Sequence, residues 1–368
     1  MTRALVVAGA RPNFMKVAPV LAALERRGDE AVLVHTGQHY DERMSDAFFR
    51  DLGLKAPDFH LGVGSGSHAV QTARIMEAFE PVLLEVRPDW VVVVGDVNST
   101  LACALVAAKL KAEAGCRIAH VEAGLRSGDW RMPEEVNRVL TDRVSDLLLT
   151  PSRDAHPNLL AEGLPEERIV LVGNTMIDTL LARLPEARAG GFAASLGLER
   201  GRYAVSTVHR PSNVDDPAAF RAVLEALASV AEEMPVVLPL HPRARKKAEE
   251  FGLEGPLSRL RLLEPVGYLE MLSLTEGAAG VLTDSGGLQE ETTALGVPCV
   301  TLRESTERPV TVLEGTNRLA PWPLSVGGVL EAFRAARAAR DGQAPPRPEG
   351  WDGRAGERVA AALAGHSR

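Results

Sequence analysis

The stretch Trp90-Val91-Val92-Val93-Val94-Gly95-Asp96 decides the fold class. Its apolar residues follow one another without alternation, which indicates a strand buried on both faces, as in a parallel sheet covered by helices. A helical spacing of apolar residues follows over 98–111. The stretch therefore predicts one strand and one helix of an α/β protein with a parallel sheet.

The same alternation of strand and helix runs along the whole chain. Segments 14–27 and 133–145 have helical spacing. Further apolar runs predict strands at 4–8, 31–35, 117–121, 147–150, 169–172, 203–208, 235–240, 260–263, 280–283 and 298–302.

The strands form two series, separated by a segment without a strand signal at 184–202, which is rich in Ala, Gly and Arg. We therefore expect two Rossmann-like, doubly wound domains with a central cleft. The N-terminal domain is predicted at 1–172, with a C-terminal helix at 353–368 packing back on it. The second domain is predicted at 173–352.

Composition excludes several classes of partner. The chain has 368 residues, 45% of them hydrophobic, and a formal net charge of −8, so a general basic surface for nucleic acid or anionic membrane is not expected. The three cysteines, Cys103, Cys116 and Cys299, are widely spaced and indicate buried thiols in a reducing cytosol. The first apolar stretch is too short for a signal peptide or a membrane helix. We expect a cytoplasmic protein.

The stretch from Val281 to Glu291 favours a nucleotide site. An apolar run leading into Ser285-Gly286-Gly287 predicts a strand, a tight turn and a helix N-terminus, whose backbone N–H groups can hold phosphate. Glu291 lies one helical turn beyond Gly287, so its carboxylate could accept hydrogen bonds from a ribose diol. An ordinary turn between strand and helix would contain the same triplet.

The segment after the first strand contains two cations but no known phosphate loop. It lacks the second glycine of a Walker A loop and the Gly-x-Gly-x-x-Gly spacing of a dinucleotide site, so neither ATP hydrolysis nor NAD binding is supported. Arg11 at the turn and Lys16 about one helical turn later can both point at an anion. Both would equally suit a solvated helix surface.

Carboxylates follow two central strands and open a later helix. Asp96 and Glu122 each stand at the end of a strand. Solvation is poor at such a position, so a charge is unexpected there unless function demands it. Glu134 and Glu135 begin the helix at 133–145. Helix capping by Asp96 and favourable first-turn charges at Glu134 and Glu135 are the alternatives.

Two histidines stand at strand ends in the second half of the chain. His209, with Arg210 beside it, follows the strand at 203–208, and His241 follows the strand at 235–240. His209 next to Arg210 is a candidate donor to phosphate.

These motifs together resemble the non-hydrolysing UDP-N-acetylglucosamine 2-epimerases, in order and over nearly the whole chain. The resemblance implies a glycosyltransferase-B type fold, a homodimer, no cofactor and no metal, and the interconversion of UDP-GlcNAc and UDP-ManNAc for surface polysaccharide synthesis. The motifs are Gly9-Ala-Arg-Pro12 with Lys16, Thr36-Gly-Gln-His39, Gly95-Asp96, His120-Val-Glu-Ala-Gly-Leu-Arg126, Pro133-Glu-Glu-x-Asn-Arg138, His209-Arg210, Thr283-Asp-Ser-Gly-Gly-x-Gln-Glu-Glu291 and Thr306-Glu-Arg-Pro309.

The resemblance also implies residue roles. Asp96, Glu122 and Glu134 are the acid and base candidates, without an assignment of which removes and which returns the proton. His209 would stabilise the departing UDP, and Lys16 would balance charge in the acidic pocket. The residues implied to bind UDP are Arg11, His209, Ser285, Gly286, Gly287 and Glu291. Candidates for a second site or the cleft are Gln38, His39, Arg210 and His241.

The expected chemistry explains the need for several acids. The hydrogen on C2 of the sugar is not next to a carbonyl group, so direct removal is implausible. If the bond from C1 to UDP stretches first, positive charge at C1 acidifies that hydrogen, a carboxylate removes it, and UDP leaves to give a 2-acetamidoglucal. Reprotonation on the other face and return of UDP complete the reaction, which needs carboxylates near C2 and cations near the diphosphate.

Departures from the family pattern leave the substrate open. Many members have a Glu where this chain has Ser212, and some have a Gln where it has Asp41, which weakens the expectation of activation by substrate at a second site. The segments 36–41 and 126–132 also resemble relatives that epimerise UDP-linked diacetamido uronic acids. A transferase of the same fold, or a UDP-sugar binder without activity, would retain the Ser285 segment but has no evident use for three carboxylates.

Overall fold

The structure, a computed structural model, describes residues 1–37, 52–340 and 347–366. It divides into two compact units, the first comprising Met1–Ala182 with Glu349–Arg368 and the second comprising Arg183–Pro348. Each unit contains a parallel sheet with its own apolar core. The predicted fold class, two doubly wound α/β units, is confirmed in that respect.

The first sheet has seven strands among the described residues, all parallel, in the order β3-β2-β1-β4-β5-β6-β7. The strands are β1 (Arg3–Ala8), β2 (Glu30–His35), β3 (Phe59–His60), β4 (Trp90–Val94), β5 (Arg117–Val121), β6 (Leu147–Thr150) and β7 (Ile169–Leu171). The helices of this part of the chain are α1 (Arg11–Arg26), α2 (His68–Val86), α3 (Asn98–Lys109), α4 (Lys111–Ala114), α5 (Pro133–Val144), α6 (Ala155–Ala161) and α7 (Thr175–Gly190), with a 3₁₀ turn at Glu166–Arg168.

The second sheet has six parallel strands among the described residues, in the order β10-β9-β8-β11-β12-β13. They are β8 (Ala204–Thr207), β9 (Val236–Pro239), β10 (Arg261–Leu263), β11 (Gly280–Thr283), β12 (Cys299–Thr301) and β13 (Asn317–Leu319). The remaining helices are α8 (Phe192–Ser195), α9 (Pro211–Val214), α10 (Pro217–Ala231), α11 (Pro242–Glu250), α12 (Glu254–Leu257), α13 (Tyr268–Gly277), α14 (Gly286–Leu295), α15 (Pro309–Leu313), α16 (Val326–Ala338) and α17 (Ala355–Gly365).

Apolar side chains from both faces of each sheet build the cores. In the first unit Ile75 and Phe79 of α2 pack with Val91 and Val93 of β4 in one buried cluster. In the second unit Phe220 of α10 and Phe333 of α16 lie in the main cluster with strand residues. Because every residue of β4 is buried, the unbroken valine run has the two-sided burial that its pattern predicts.

The first boundary lies after Ala182, later than the expected boundary after residue 172. The reason is that the beginning of α7 belongs to the first unit, where Thr179 Oγ1 donates to the Met15 carbonyl oxygen at 2.5 Å. The segment 184–202, expected as a linker, contains the rest of α7 and all of α8. The second boundary lies after Pro348 rather than 352, and Trp351 Nε1 donates to the Pro151 carbonyl oxygen at 3.0 Å within the first unit.

The C-terminal helix α17 packs against α1 in the first unit. Asp178 accepts hydrogen bonds from the Ala355 and Gly356 backbone N–H groups at 3.1 and 2.7 Å. These N–H groups lie in the first turn of the helix, where intrahelical acceptors are lacking. The Cα of Gly356 lies so close to α1 that a Cβ there would stand 2.4 Å from the Pro19 carbonyl oxygen.

Two further properties of the described residues concern the cysteines and the apolar character of the helices. The thiols of Cys103, Cys116 and Cys299 are free and buried. Among the helices that the structure describes, none combines the length and the apolar character needed to cross a membrane.

Candidate active site

The first candidate site lies at the carboxyl ends of β1 and β4, which are neighbours in the sheet. After β1 the chain continues to one side of this pair, and after β4 it continues to the other side. Ligands of open α/β sheets bind at such a point. Asn13, in the first turn of α1, bridges the loops that follow them. Its Oδ1 accepts the backbone N–H groups of Gly9 and Ala10 at 3.3 and 3.0 Å. Its Nδ2 donates to the Val94 carbonyl oxygen at 3.1 Å. No pattern in the sequence had singled out Asn13, yet it fixes α1, and with it Lys16, against β4.

Lys16 and Glu122 form an ion pair, and their side chains are only 10% and 8% exposed. Both lie against Gly95, where a Cβ would stand 3.4 Å from Lys16 Nζ and 3.7 Å from Glu122 Oε2. Glu122 has a φ of +73°, a conformation that residues with a side chain rarely adopt. Such strain persists only where the surroundings impose it, and it concentrates at functional sites.

Asp96, the residue after Gly95, is held by α5. Arg138 donates to Asp96 Oδ2 at 2.5 Å, and Asn137 Nδ2 donates to the Asp96 carbonyl oxygen at 2.9 Å. In the sequence, Arg138 and Asn137 are members of the motif at 133–138 and have no predicted role of their own. Asp96 is thus ion-paired with Arg138, and the N-cap position of α3 is occupied by Val97 rather than by Asp96.

The two acids that open α5 have different surroundings. Glu135 accepts backbone N–H groups from Ser127 and Gly128 at 2.8 to 3.1 Å and pairs with Arg138 at 2.7 Å. Burial acts to raise the pKa of Glu135, but these hydrogen bonds outweigh it and lower that pKa. Glu134 is half-buried and makes no hydrogen bond or ion pair with another described residue. Glu135 therefore orders the loop before α5, while the Glu134 carboxyl stays available.

The second candidate site lies at the corresponding position of the second sheet, after β8 and β11. Asp284 is fully buried and accepts the backbone N–H groups of His209 and Arg210 at 3.0 and 2.9 Å. Its Oδ1 also lies 2.8 Å from His209 Nδ1. Burial acts to raise the pKa of Asp284, but the bonds and charge of His209 outweigh it and lower that pKa. Asp284 thus orients an imidazole that is 58% exposed.

Ser285, Gly286 and Gly287 begin α14. Ser285 is the N-cap, and the N–H groups of the two glycines belong to the first turn, where intrahelical partners are lacking. Space beside Gly286 is limited, because a Cβ there would stand 2.8 Å from Glu307 Oε1. The turn therefore has the form that the sequence predicted for an anion site.

Glu291 is buried on α14. Burial, with a smaller effect from the neighbouring Glu290, raises the pKa of Glu291 to about 8, and the Tyr268 hydroxyl acts weakly in the opposite direction. Glu290 itself is neutralised by Arg308 at 2.9 Å. The Glu291 carboxyl therefore favours its protonated form, and hydroxyl donors of a ligand would stabilise its ionised form.

The remaining predicted residues have other surroundings or lie outside the described part of the chain. Arg210 lies 3.5 Å from Glu307, with which it forms an ion pair. His241 is the N-cap of α11 and accepts the Arg243 backbone N–H at 3.2 Å, which is a structural role. Arg11 begins α1, but its side chain lies outside the described part of the chain, as do Gln38 and His39. Over the described residues, no group of three or more His, Cys, Asp or Glu side chains is placed to hold a metal ion.

The arrangement defines a class of protein. Two doubly wound units carry, respectively, acids paired with cations at strand ends and a helix N-terminus beside an oriented imidazole. These groups are the ones expected in an α/β enzyme that acts on a phosphorylated ligand and has no dinucleotide-binding motif.

The chain belongs to the UDP-N-acetylglucosamine 2-epimerase family. The model of that family matches residues 22–364. A UDP-N-acetylglucosamine 2-epimerase of Methanococcus maripaludis is 44% identical over 324 residues, which cover 86% of this chain and 87% of the relative.

Two further relatives are informative. The crystal structure of the Methanocaldococcus jannaschii UDP-GlcNAc 2-epimerase in complex with UDP-GlcNAc and UDP has a TM-score of 0.87 and 39% identity, covering 98% of this chain and 99% of the other. A UDP-2,3-diacetamido-2,3-dideoxy-D-glucuronate 2-epimerase of Pseudomonas aeruginosa is 44% identical over 320 residues, covering 86% of this chain and 87% of the relative. The family that the sequence motifs indicated is confirmed.

Proposed function

We propose that this protein interconverts UDP-N-acetylglucosamine and UDP-N-acetylmannosamine by elimination and re-addition of UDP. The observation that carries the proposal is the cluster of Lys16, Glu122 and Asp96 at the ends of β4 and β5 in a member of this family. A strained, buried carboxylate paired with an ammonium, next to a second carboxylate, is a costly arrangement that stability alone does not require.

The acids of the first unit would move the proton at C2. Asp96, Glu122 and Glu134 differ in their partners, since Arg138 holds Asp96, Lys16 holds Glu122, and Glu134 has no partner among the described residues. The three carboxyls thus have different surroundings, which suits a reaction that needs one group to remove a proton and another to return it. Lys16 would keep the cluster from accumulating uncompensated negative charge.

The second unit would stabilise the departing diphosphate. The N–H groups of Gly286 and Gly287 and the exposed His209 imidazole are donors that suit charge developing on UDP, and Glu291 suits the ribose hydroxyls. Arg11, at the start of α1, is assigned to UDP by its motif.

A second candidate substrate is a UDP-linked diacetamido uronic acid. The relative that acts on such a sugar is as similar to this chain as the M. maripaludis UDP-GlcNAc 2-epimerase, at 44% identity for each. The reaction and the proposed acids would be the same, and only the groups that contact C3 and C6 of the sugar would differ.

The test is incubation with each UDP-sugar in deuterated water without an acceptor, followed by NMR. Deuterium at C2 together with the 2-epimer supports the proposal, and the faster substrate identifies the sugar. Unchanged substrate would contradict it in favour of a binder or a transferase. Free sugar with UDP would indicate a hydrolysing enzyme instead.

We also propose that the protein is a cytoplasmic homodimer. The assembly follows from the family resemblance, and the free, buried cysteines support a reducing compartment. Light scattering over a range of concentrations would test the assembly. A mass of one chain at all of them would contradict a dimer, and fractionation of the source cells would test the compartment.

A further inference from the structure

His120, near the end of β5, is fully buried and has an acceptor at each ring nitrogen. Its Nδ1 lies 2.6 Å from Asp142 Oδ1. Its Nε2 lies 2.8 Å from the carbonyl oxygen of Gly95, in the turn after β4. His120 therefore spans two neighbouring strands and reaches the residue immediately before Asp96.

Asp142, on α5, is also fully buried. Its Oδ2 accepts the Gly124 backbone N–H at 3.0 Å and lies 2.8 Å from a guanidinium nitrogen of Arg126. Burial acts to raise the pKa of Asp142, but the charges and hydrogen bonds of His120 and Arg126 outweigh it and lower that pKa. Asp142 is consequently a carboxylate, which can only accept hydrogen bonds.

These contacts engage both ring nitrogens of His120. The imidazole ring fixes the distance and direction between its two nitrogens, so the contacts to Asp142 and to the Gly95 carbonyl oxygen hold these two groups in one relative position.

The pair is connected to two of the proposed acids through the backbone. Gly95 precedes Asp96 and lies directly against the Lys16 and Glu122 side chains. Its φ of +70° is in the left-handed region, so the orientation of its peptide group depends on what holds it.

On its other side, the pair holds the turn after β5. Asp142 binds Gly124, two residues beyond the strained Glu122, and α5 also carries Glu134 and Arg138. One buried pair thus touches all three segments that carry the acids.

We propose that His120 and Asp142 are positioning residues, whose hydrogen-bonded pair sets the Gly95 and Gly124 backbones and thereby the places of Asp96 and Glu122 for proton transfer. The proposal rests on the proposed function. This role does not require either side chain to contact the substrate. A pair that only stabilised the fold would not need to hold the peptide groups next to both acids.

The first test is His120→Gln, in which one amide nitrogen replaces two separated ring nitrogens and can reach only one of the two acceptor oxygens. We expect kcat for deuterium exchange at C2 to fall by about 10- to 100-fold, because small displacements of reacting groups have effects of that size. KM and the dissociation constant of UDP should stay within about twofold of wild type, since UDP binding is assigned to other residues.

The matched control is Asp146→Asn. Asp146 accepts the Ile118 backbone N–H at 2.9 Å and pairs with Lys111, so it anchors the opposite end of the same strand. This variant should retain kcat within about twofold. An equal loss of kcat in both variants, or a folded His120→Gln protein with wild-type kcat, would overturn the positioning role.

A second measurement does not depend on folding of the variant. In wild-type protein with ¹⁵N-labelled histidine, assigned through the His120 backbone, a ring N–H of His120 should exchange slowly with solvent, as a buried hydrogen bond requires. Rapid exchange of every ring hydrogen of His120 would refute the buried pair. Absence of C2 exchange in the wild-type protein would instead refute the proposed function.

Discussion

At the scale of single residues, the proposed acids are distinguished by their cations. Asp96 is bound to Arg138 and Glu122 to Lys16, whereas Glu135, which lies beside Glu134 in the sequence, serves the backbone of the preceding loop. A carboxylate that holds backbone N–H groups cannot leave them to take up a proton without loss of structure. This difference is the reason why proton transfer is proposed for Asp96, Glu122 and Glu134 rather than for Glu135.

The first prediction concerns two of these acids. Asp96→Asn and Glu122→Gln should each abolish deuterium exchange at C2, because the amides retain the shape but cannot take up the proton. UDP affinity, measured by calorimetry, should remain nearly unchanged. Glu122→Gln leaves Lys16 without its buried partner, so a melting curve must accompany it. Wild-type turnover in either variant would remove that residue from the mechanism.

The second prediction concerns the pH dependence of stability that arises from Glu291. Its pKa is about 8 in the folded protein and near 4.5 when unfolded, so between these values the folded state binds the extra proton. The contribution of Glu291 to the free energy of unfolding is thus fully present below about pH 4.5 and is lost as the pH rises through about 8.

Glu291→Gln removes this loss, so the stability of the variant relative to the wild type should increase as the pH rises. The difference between the melting temperatures of the variant and the wild type, without UDP, should shift in favour of the variant from about pH 6 to about pH 9. A difference that does not change with pH would show that Glu291 is ionised in the folded protein throughout.

At the scale of secondary structure, most elements follow from local patterns. The strands at 90–94, 117–121, 147–150 and 280–283 occur where the apolar runs predict them, because central parallel strands are buried on both faces. The short edge strands β3 and β13 were not predicted. β3 has two residues, and two of the three residues of β13 are exposed, so no apolar run marks them.

The site was predictable only in part, for a related reason. Acids at strand ends stand out in a sequence because charge is unexpected there, and Asp96 and Glu122 were found in this way. Asn13, Arg138 and Asp142 lie within helices, where polar residues are ordinary. Their importance arises from contacts with distant segments, which no local pattern reveals.

The third prediction concerns the packing of α17 on α1. Gly356→Ala places a Cβ 2.4 Å from the Pro19 carbonyl oxygen, so the helices must separate. We expect a loss of about 1–3 kcal/mol in the free energy of unfolding, the usual cost of overpacking. Denaturant unfolding followed by circular dichroism measures it.

Gly365→Ala, in the same helix, is the matched control. Nothing lies within 4 Å of a Cβ at that position, so no loss is expected. Equal stability of the two variants would show that α17 does not pack closely against α1.

At the scale of the whole molecule, the two units carry different chemical groups. The acids and the Lys16 ammonium belong to the first unit, and the helix N-terminus, His209 and Glu291 belong to the second. The net charge of −8 means that an anion is attracted only by such local donors. Each unit has its own apolar core, so a ligand can stabilise one of them selectively.

The fourth prediction follows from this division. UDP at about 100 times its dissociation constant should add about 2.7 kcal/mol to the unit that holds it, if UDP binds only the folded form. For a unit of this size, that corresponds to a rise of about 5–11 °C in its thermal transition, measurable by calorimetry. Hydrogen exchange should locate the protection at the start of α14 and in the loop that contains His209.

Gly286→Ala provides the control for the fourth prediction. A Cβ at Gly286 would stand 2.8 Å from Glu307 Oε1, so Glu307 or the first turn of α14 must shift and the phosphate donors move with it. At the same UDP concentration this variant should show a smaller rise in its transition and weaker protection of that turn. Protection confined to the first unit, or an undiminished response of Gly286→Ala, would refute the assignment of the diphosphate to α14.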